Sequence, residues 1–513
     1  MKIFIRVLIF VILIISVNIA TFNRASVFNS SDEASNYQAM KLVSNTNKLY
    51  YTDPMAKYDL KNNLHSRGFI YWKEKIVPFN FLGIPIFYGT LNMILGENLK
   101  YINILYLIMI IFSGVKILKI LDNTQSQSYN YYLLSLSLCG PIIYYLNHPY
   151  FNATPSLAFF CLSFYYIIRY VYSNSENKLT SILLASMFTS ISLWFAYYWV
   201  LFYLFIYGYL VISNIKNIKT YLPHWLSAIG IVTIVFLIPL MLLNNHLYGS
   251  PFTIGYGAFT KTYFLQERAS STYQSIVTFL LPSRSIDLNI LLNNLKTSLF
   301  YISPIYLYVS YLGIVLMIKK YPRLNFFVPL LIWFIAYNGM SDTYLSGSDQ
   351  INYATAILRY WLPIYFLLSI SFSYYLNIQK SVKTKLLIVL CSLISMPFLY
   401  TELYSSNQIL KNFESINTEY QSVIIPNSYI VAPISDKYLF QVAKPIIWWM
   451  SYSDNKFFDP KQLNLLIVNL INENQNVYLE RGSKIGFPEI DLILDNNLKA
   501  KQLSYYLYKI ELL

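Results

Sequence analysis

The chain has 513 residues, of which 56% are apolar and 12% are Asp, Glu, Lys or Arg, about half the charge of an ordinary soluble domain. With a mean hydropathy of +0.43 and several apolar runs long enough to cross a bilayer, this composition excludes a soluble enzyme and a disordered scaffold and specifies a polytopic α-helical membrane protein. The excess of 38 basic over 24 acidic residues, +14 in all, sits mostly in short loops between apolar runs, where it orients the chain in the bilayer and does not read as a nucleic-acid surface.

Residues 3–20 form the first apolar run, preceded by Lys2 and containing Arg6. A cleaved signal peptide would share that basic start, but Asn18 and Ala20 make a poor small-x-small cleavage site, so a retained helix is the favoured reading. A polar stretch follows at 21–78. Residues 79–96 are apolar but interrupted by Gly83, Pro85 and Gly89, and charge decides their placement. The other spanning candidates are 100–118, 129–147, 154–172, 179–195, 197–213, 224–243, 299–318, 325–340, 357–377 and 386–402. The stretch 179–213 is too long for one helix and is read as two, joined at Ala196-Tyr197-Tyr198. With 79–96 lying on the membrane surface, Lys2, Lys116, Arg169, Lys216, Lys319 and Lys380 share one side. The short segments 148–153, near 196, and 341–355 on the other side carry no Lys or Arg. A spanning 79–96 would invert that bias, so the expectation is about eleven spans, N-terminus cytoplasmic and C-terminus extracytoplasmic.

Three hydrophilic segments then share the outer face: 21–99 with its surface helix, 244–298, and the tail 403–513. The tail alternates short β-like runs (SVIIPNSYIVAPI, NVYLE, SYYLYKIELL) with more helical stretches such as 461–474. It reads as a small α/β extracytoplasmic domain attached to a transmembrane domain of residues 1–402, and at roughly 110 residues it can bury its own core. There is no internal repeat of the transporter kind and no ladder of intramembrane charges.

The most informative polar feature is Asp32-Glu33, a carboxylate pair shortly after the first helix. A carboxylate at the outer mouth of a helix bundle can take a proton from an incoming hydroxyl as general base. The plainer reading is a solvated loop in which Ser30 or Ser31 caps a helix and the two acids complement its dipole. Arg359 is the second candidate: it opens the apolar run AILRYWLPIYFLL, where a phosphate would satisfy its guanidinium fork, or where it snorkels to the headgroups. Lys57, Arg67, Lys261, Arg268 and Arg284 are further outer-face cations, each readable as a phosphate ligand or as an ordinary surface charge. The segment NNHLYGSPFTIGY ends in Tyr256, a flat ring suited to a sugar face or the acyl interface. Of the histidines, His148 is the best placed to face a site. Asp53 and Asp59 read as ordinary loop acids, whereas Asp342 and Asp349 flank a Gly/Ser-rich outer loop, where they touch either substrate or nothing. No paired acids stand in the second outer segment, NHPYFNATP, so a divalent metal is unsupported and no cofactor is expected. Cys139, Cys161 and Cys391 lie inside apolar runs, with no disulfide or metal-ligand spacing.

A helix, then an outer loop opening with Asp32-Glu33, then a Pro/Gly-interrupted helix ending Leu95-Gly96-Glu97-Asn98 resembles the GT-C membrane glycosyltransferases. The likeness is to the protein mannosyltransferase and aminoarabinose transferase-like group, also called glycosyltransferase family 39-like. Tyr248-Gly249-Ser250-Pro251-Phe252 through Gly255-Tyr256 is similar to a turn after the middle helices of that group, and Arg359-Tyr360-Trp361-Leu362-Pro363 resembles its Arg-Tyr-x-x-Pro helix start. The likeness covers most of residues 1–402. The His-Pro-Pro run frequent in the first loop of the group is missing here. Trp448-Trp449-Met450-Ser451-Tyr452 lacks the Asp and Gly of the oligosaccharyltransferase signature, and that branch is set aside.

The resemblance implies transfer of a sugar from a polyprenyl-phosphate-linked donor to an acceptor (protein, lipid or glycan) on the outer face, usually with inversion, in the plasma membrane of a prokaryote. Asp32 would then be the base and Glu33 would orient it or bind substrate. Arg359, with a first-loop cation, would hold the lipid phosphate as it leaves. The alternative is a non-enzymatic polysaccharide or lipid flippase, or an envelope assembly factor. A flippase should carry charges within several spans and no large outer tail; this chain has few of the former and has the latter.

Overall fold

The computed structural model describes residues 10–17, 27–28, 30–58, 64–65, 68–121, 127–172, 178–214, 218–255, 302–326, 328, 356–431, 443–446, 460–480, 497–504 and 507–513. By contacts the chain divides into two units, one formed by Met1–Phe22, Lys100–Pro239 and Ala269–Ser405, the other by Asn23–Leu99, Leu240–Arg268 and Ser406–Leu513.

The first unit is helical. Its helices include Ile102–Leu121, Ala153–Tyr172, Lys178–Phe195, Val200–Ser213, Pro304–Lys320 and Leu362–Ile378, each within a few residues of an apolar run read from the sequence. The long run 179–213 does break at Ala196, whose backbone (φ −152°, ψ 76°) leaves the helical region before the short turn Tyr197–Trp199. Other runs differ from expectation. The run 129–147 is two helices, Gln127–Ser137 and Gly140–Leu146, because Pro141 in the first turn has no N–H to continue a ladder and is suited to start a new one. Pro363 does the same between Ala356–Tyr360 and Leu362–Ile378. The run 386–402 belongs to a helical stretch of 40 residues, Val382–Gln421, so the expected boundary at 402 falls within a helix. The span 325–340 lies almost wholly outside the described residues. Among the described residues, four helical stretches are long and apolar enough to cross a membrane: Ile84–Leu121, Lys178–Phe195, Lys219–Tyr248 and Val382–Gln421.

Small residues bring these helices close, the usual means of packing where lipid gives no hydrophobic drive between helices. Ala153–Tyr172 and Lys178–Phe195 meet through Ser156 and Ser192 (3.0 Å between hydroxyls) and through Ser163 and Thr189 (2.8 Å). A Cβ on Gly313 would come within 2.1 Å of the Ser371 carbonyl oxygen, so Pro304–Lys320 rests backbone to backbone on Leu362–Ile378. The buried Tyr306 hydroxyl bonds to Ser135 (2.9 Å) and Ser369 (3.0 Å) while its ring stacks on Phe372, tying three helices at one point.

The second unit carries the β-structure. An antiparallel hairpin, β1 (Phe69–Trp72) and β2 (Lys75–Pro78), follows the helix Ser31–Thr46. The tail forms a five-stranded sheet in the order β4-β3-β5-β7-β6, where β3 is Ser428–Val431, β4 Ala443–Ile446, β5 Val477–Glu480, β6 Leu498–Gln502 and β7 Leu507–Leu512. β3 pairs in parallel with β4 and β5, and β7 antiparallel with β5 and β6. The runs read as β-like carry β3, β5 and β7. The amphipathic helix Pro460–Asn472 lays Leu463, Leu466, Ile467 and Leu470 in a core with Tyr429, Val431, Val477 and Ile510, and Ala56 and Leu64 of the first polar segment join it.

Candidate functional site

The carboxylate pair opens the helix Ser31–Thr46. Ser30 is the N-cap, in extended backbone (φ −114°, ψ 138°), and its side chain accepts the Asp32 N–H at 3.1 Å. Asp32 and Glu33 therefore lie in the first turn, where the helix dipole favours negative charge. Their surroundings differ: Asp32 is half-buried, whereas Glu33 is completely buried. The pair is capped as the plainer reading has it, but Glu33 is not solvated.

Asp32 is held at both of its peptide groups. Its N–H is on Ser30, and its carbonyl accepts from the Ser35 hydroxyl at 3.0 Å; that hydroxyl accepts in turn from the buried Asn80 side chain at 2.7 Å. Behind them stands Gly68, in left-handed backbone (φ +88°). A Cβ there would lie 2.1 Å from Ser35 Cβ and 3.2 Å from Asn80 Nδ2, so only glycine lets the entry to β1 close on this turn. Ser35, Asn80 and Gly68 escaped the sequence reading. A serine two residues after an Asp-Glu pair is its sole local signal, and neither Gly68 nor Asn80 has any spacing that links it to the helix.

The turn Tyr248–Gly255 docks on the same hairpin. Trp72 Nε1 donates to the Tyr248 carbonyl (3.0 Å) and the Tyr248 hydroxyl donates to the Pro78 carbonyl (2.6 Å). Gly249 (φ +72°) leaves room for Lys73, and Gly255 sits where a Cβ would lie 2.3 Å from the Phe79 carbonyl oxygen. The glycines of this segment are thus explained by close approach. Tyr256, the next residue, lies outside the described residues, as do Arg67, Lys261, Arg268, Arg284, Asp342 and Asp349.

Lys57 is occupied elsewhere. It lies in the 3-10 turn Pro54–Tyr58 with a side chain 60% exposed, 3.7 Å from Glu473 and 4.6 Å over the Tyr58 ring. The Tyr58 hydroxyl donates to the same carboxylate. Asp53, read as an ordinary loop acid, is nearly buried and accepts from the Tyr429 hydroxyl and the Met55 N–H, each at 2.9 Å.

In the first unit, His148 and Arg359 are brought together although far apart in the chain. His148 is wholly buried in the turn between Gly140–Leu146 and Ala153–Tyr172. Its ring packs on Tyr144 at 4.7 Å and on Phe151 at 5.4 Å. Arg359, at the end of Ala356–Tyr360, places its guanidinium 6.0 Å from the centre of the Phe151 ring and 5.3 Å from that of Tyr360. Phe151, absent from the sequence-level candidates, is the shared wall. Among the described residues no group of three His, Cys, Asp or Glu side chains is disposed to hold a metal ion.

By sequence, no family model and no curated protein matches the chain. In three dimensions it is similar to the crystal structure of ArnT from Cupriavidus metallidurans in the apo state, with a TM-score of 0.53 at 9% identity, over 98% of this chain and 97% of that one. ArnT is an aminoarabinose transferase of the GT-C superfamily. The chain therefore has a GT-C fold, the fold implied by the resemblance in its sequence.

Proposed function

We propose that the protein is a GT-C membrane glycosyltransferase that moves a sugar from a polyprenyl-phosphate donor to an acceptor on the extracytoplasmic face, with inversion at the sugar carbon. The observation that carries this reading is the half-buried Asp32, fixed at both peptide groups at the start of a capped helix, in a chain whose GT-C fold extends over 98% of its length. In the proposed step the acceptor hydroxyl or amine attacks the anomeric carbon as its proton passes to Asp32. The bond from that carbon to the phosphate oxygen breaks, and the electron pair stays on the phosphate. Glu33, buried behind Asp32, acts as a positioning residue. We assign the departing phosphate to Arg359, whose guanidinium stands by the Phe151 ring, and among the first-segment cations to Arg67, because Lys57 is engaged by Glu473. Tyr256 is assigned to the sugar face. Charge grows on the phosphate as the sugar leaves, and a preset guanidinium is the group suited to meet it.

The test is transfer from radiolabelled polyprenyl-phosphate sugars in liposomes, wild type against Asp32→Asn. The variant keeps the shape and removes the base, and a rate loss of about 10² or more is expected. Transfer at an undiminished rate would remove Asp32 from the role of base. A folded wild type that transfers from no donor would favour the flippase or assembly-factor reading.

A further inference from the structure

The helix Ala153–Tyr172 has His148 and Phe151 before its start, and its other end lies about 30 Å away at 1.5 Å per residue. There it borders a cavity of about 270 Å³ lined by Lys178, Arg323, Tyr170, Tyr209, Tyr221 and Asn214, among others. Lys178 donates to the Tyr221 hydroxyl (3.2 Å) and stands 5.2 Å over its ring. Arg323 donates to the Val171 carbonyl (3.1 Å) in the last turn of the helix. Two cations and no acid face this cavity among the described residues.

Buried polar atoms nearly always find a partner, yet three around this cavity have none among the described residues. They are the hydroxyl of Tyr170, which is 3% exposed, the hydroxyl of Tyr172, and Nδ1 of His224. His224 packs edge-on against both Tyr170 (6.0 Å) and Tyr221 (5.8 Å). Two fixed cations, a rim of hydroxyl and amide donors, and unsatisfied buried polar atoms behind them are together the chemistry of an oxyanion site. The volume is just under the roughly 300 Å³ where drug-sized pockets begin, enough for a phosphorylated headgroup whose acyl chains remain in the bilayer.

We propose that this cavity binds a phosphoryl group, supplied by the headgroup of an anionic phospholipid at the end of the bundle that carries the basic loops, or by free phosphate. Basic clefts between helices at that end are suited to anionic headgroups. The site is separate from the transfer reaction and does not depend on it.

The experiment uses the purified full chain in detergent. Native mass spectrometry is run with phosphatidylglycerol and with phosphatidylcholine, and calorimetric titration with inorganic phosphate. Preferential retention of phosphatidylglycerol, weakened at least about tenfold by the double variant Lys178→Gln/Arg323→Gln and unaffected by Lys319→Gln, supports a lipid headgroup site. Inorganic phosphate binding that is lost in the same double variant supports the site with a soluble ligand. No binding of either by wild type, equal retention of the two lipids without phosphate binding, or unchanged binding by the double variant overturns the proposal. Should the double variant fail to fold, wild type is labelled with phosphatidylglycerol bearing a photoreactive headgroup. Crosslinks confined to peptides carrying Lys178, Tyr209–Asn214 and Tyr221 are expected, and labelling spread evenly over the lipid-facing helices overturns it.

Discussion

The guanidinium of Arg359 lies 6.0 Å from the centre of the Phe151 ring, which also packs on the buried imidazole of His148 at 5.4 Å. An aromatic face under a guanidinium contributes about 0.5–2 kcal/mol and also fixes the plane of the fork. Phe151→Leu keeps the site apolar but removes that face. It is expected to raise the donor KM about two- to tenfold while kcat changes little, the pattern of lost ground-state binding. Arg359→Lys, which keeps the charge and loses the fork, should cost more than Phe151→Leu in kcat/KM. Steady-state transfer kinetics on both variants check this, and equal donor KM values in Phe151→Leu and wild type would sever the ring from the phosphate site.

Ser35 is expected to act through Asp32. Its hydroxyl holds the Asp32 carbonyl and is itself held by Asn80, so Ser35→Ala frees the turn that carries Asp32, the proposed base. The prediction is a kcat lowered about three- to tenfold at unchanged donor KM. Combined with Asp32→Asn, the second change should add almost nothing, because residues acting as one unit are not additive. Full additivity of the two losses would mean that Ser35 acts by another route.

Gly68→Ala tests the same scaffold by stability. The residue has φ +88° and its new methyl would meet Ser35 Cβ at 2.1 Å, combining backbone strain with a clash. A loss of about 1–3 kcal/mol is expected, read as a lowered melting temperature of the full chain. Gly96, with positive φ but no atom near its missing Cβ, should show only the backbone part of that cost.

What could be read before folding follows from what each element depends on. Helices such as Ala153–Tyr172 announce themselves by apolar length alone, and the break at Ala196 follows because no bilayer accommodates a helix of that extent. The prolines Pro141 and Pro363 were visible, but whether a proline kinks a span or begins a new helix depends on neighbours across the bundle. Asp32 and Arg359 stand out because charge is scarce around them. Phe151, Ser35 and Asn80 do not, since 34 phenylalanines and many serines offer no contrast, and their roles come from contacts between segments distant in the chain. Lys57 shows the converse: a conspicuous cation in the first polar segment whose partner, Glu473, is supplied by the tail.

That exposed pair adds a small acid-sensitive contribution to the attachment of the helix Pro460–Asn472. The Tyr58 hydroxyl, then the Lys57 charge, draws Glu473 below the usual carboxylate range, while Lys57 is pushed up by Tyr58 and then Glu473. A depressed carboxylate contributes stability above its unfolded pKa and loses it as pH falls through the folded value. The hydrogen-exchange protection factors of 460–472, taken relative to the intrinsic rate at each pH, should therefore fall modestly between about pH 5 and pH 3 in wild type. Glu473→Gln should abolish that acid step, and Lys57→Gln should reduce it while leaving donor KM within about twofold of wild type. A large rise in donor KM for Lys57→Gln would return that lysine to the phosphate site.

At the alkaline end the tie between Asp53 and Tyr429 governs. The Tyr429 hydroxyl donates to Asp53 at 2.9 Å, and burial, then the Asp53 charge, raises the Tyr429 pKa well above that of a free phenol; Tyr51 is raised by the same causes in the same order. A raised phenol contributes stability that is complete below its unfolded pKa and is lost as pH climbs toward the folded value. The strands β3 and β5 should accordingly lose hydrogen-exchange protection above about pH 10 and not below it. Tyr429→Phe removes one of the titrating groups and takes a hydroxyl donor from the nearly buried Asp53, which keeps the Met55 N–H. Its expected signature is a destabilisation of about 1–3 kcal/mol at neutral pH together with a shallower alkaline loss. An alkaline profile identical to wild type would show that the tyrosines stay protonated until the sheet has already opened.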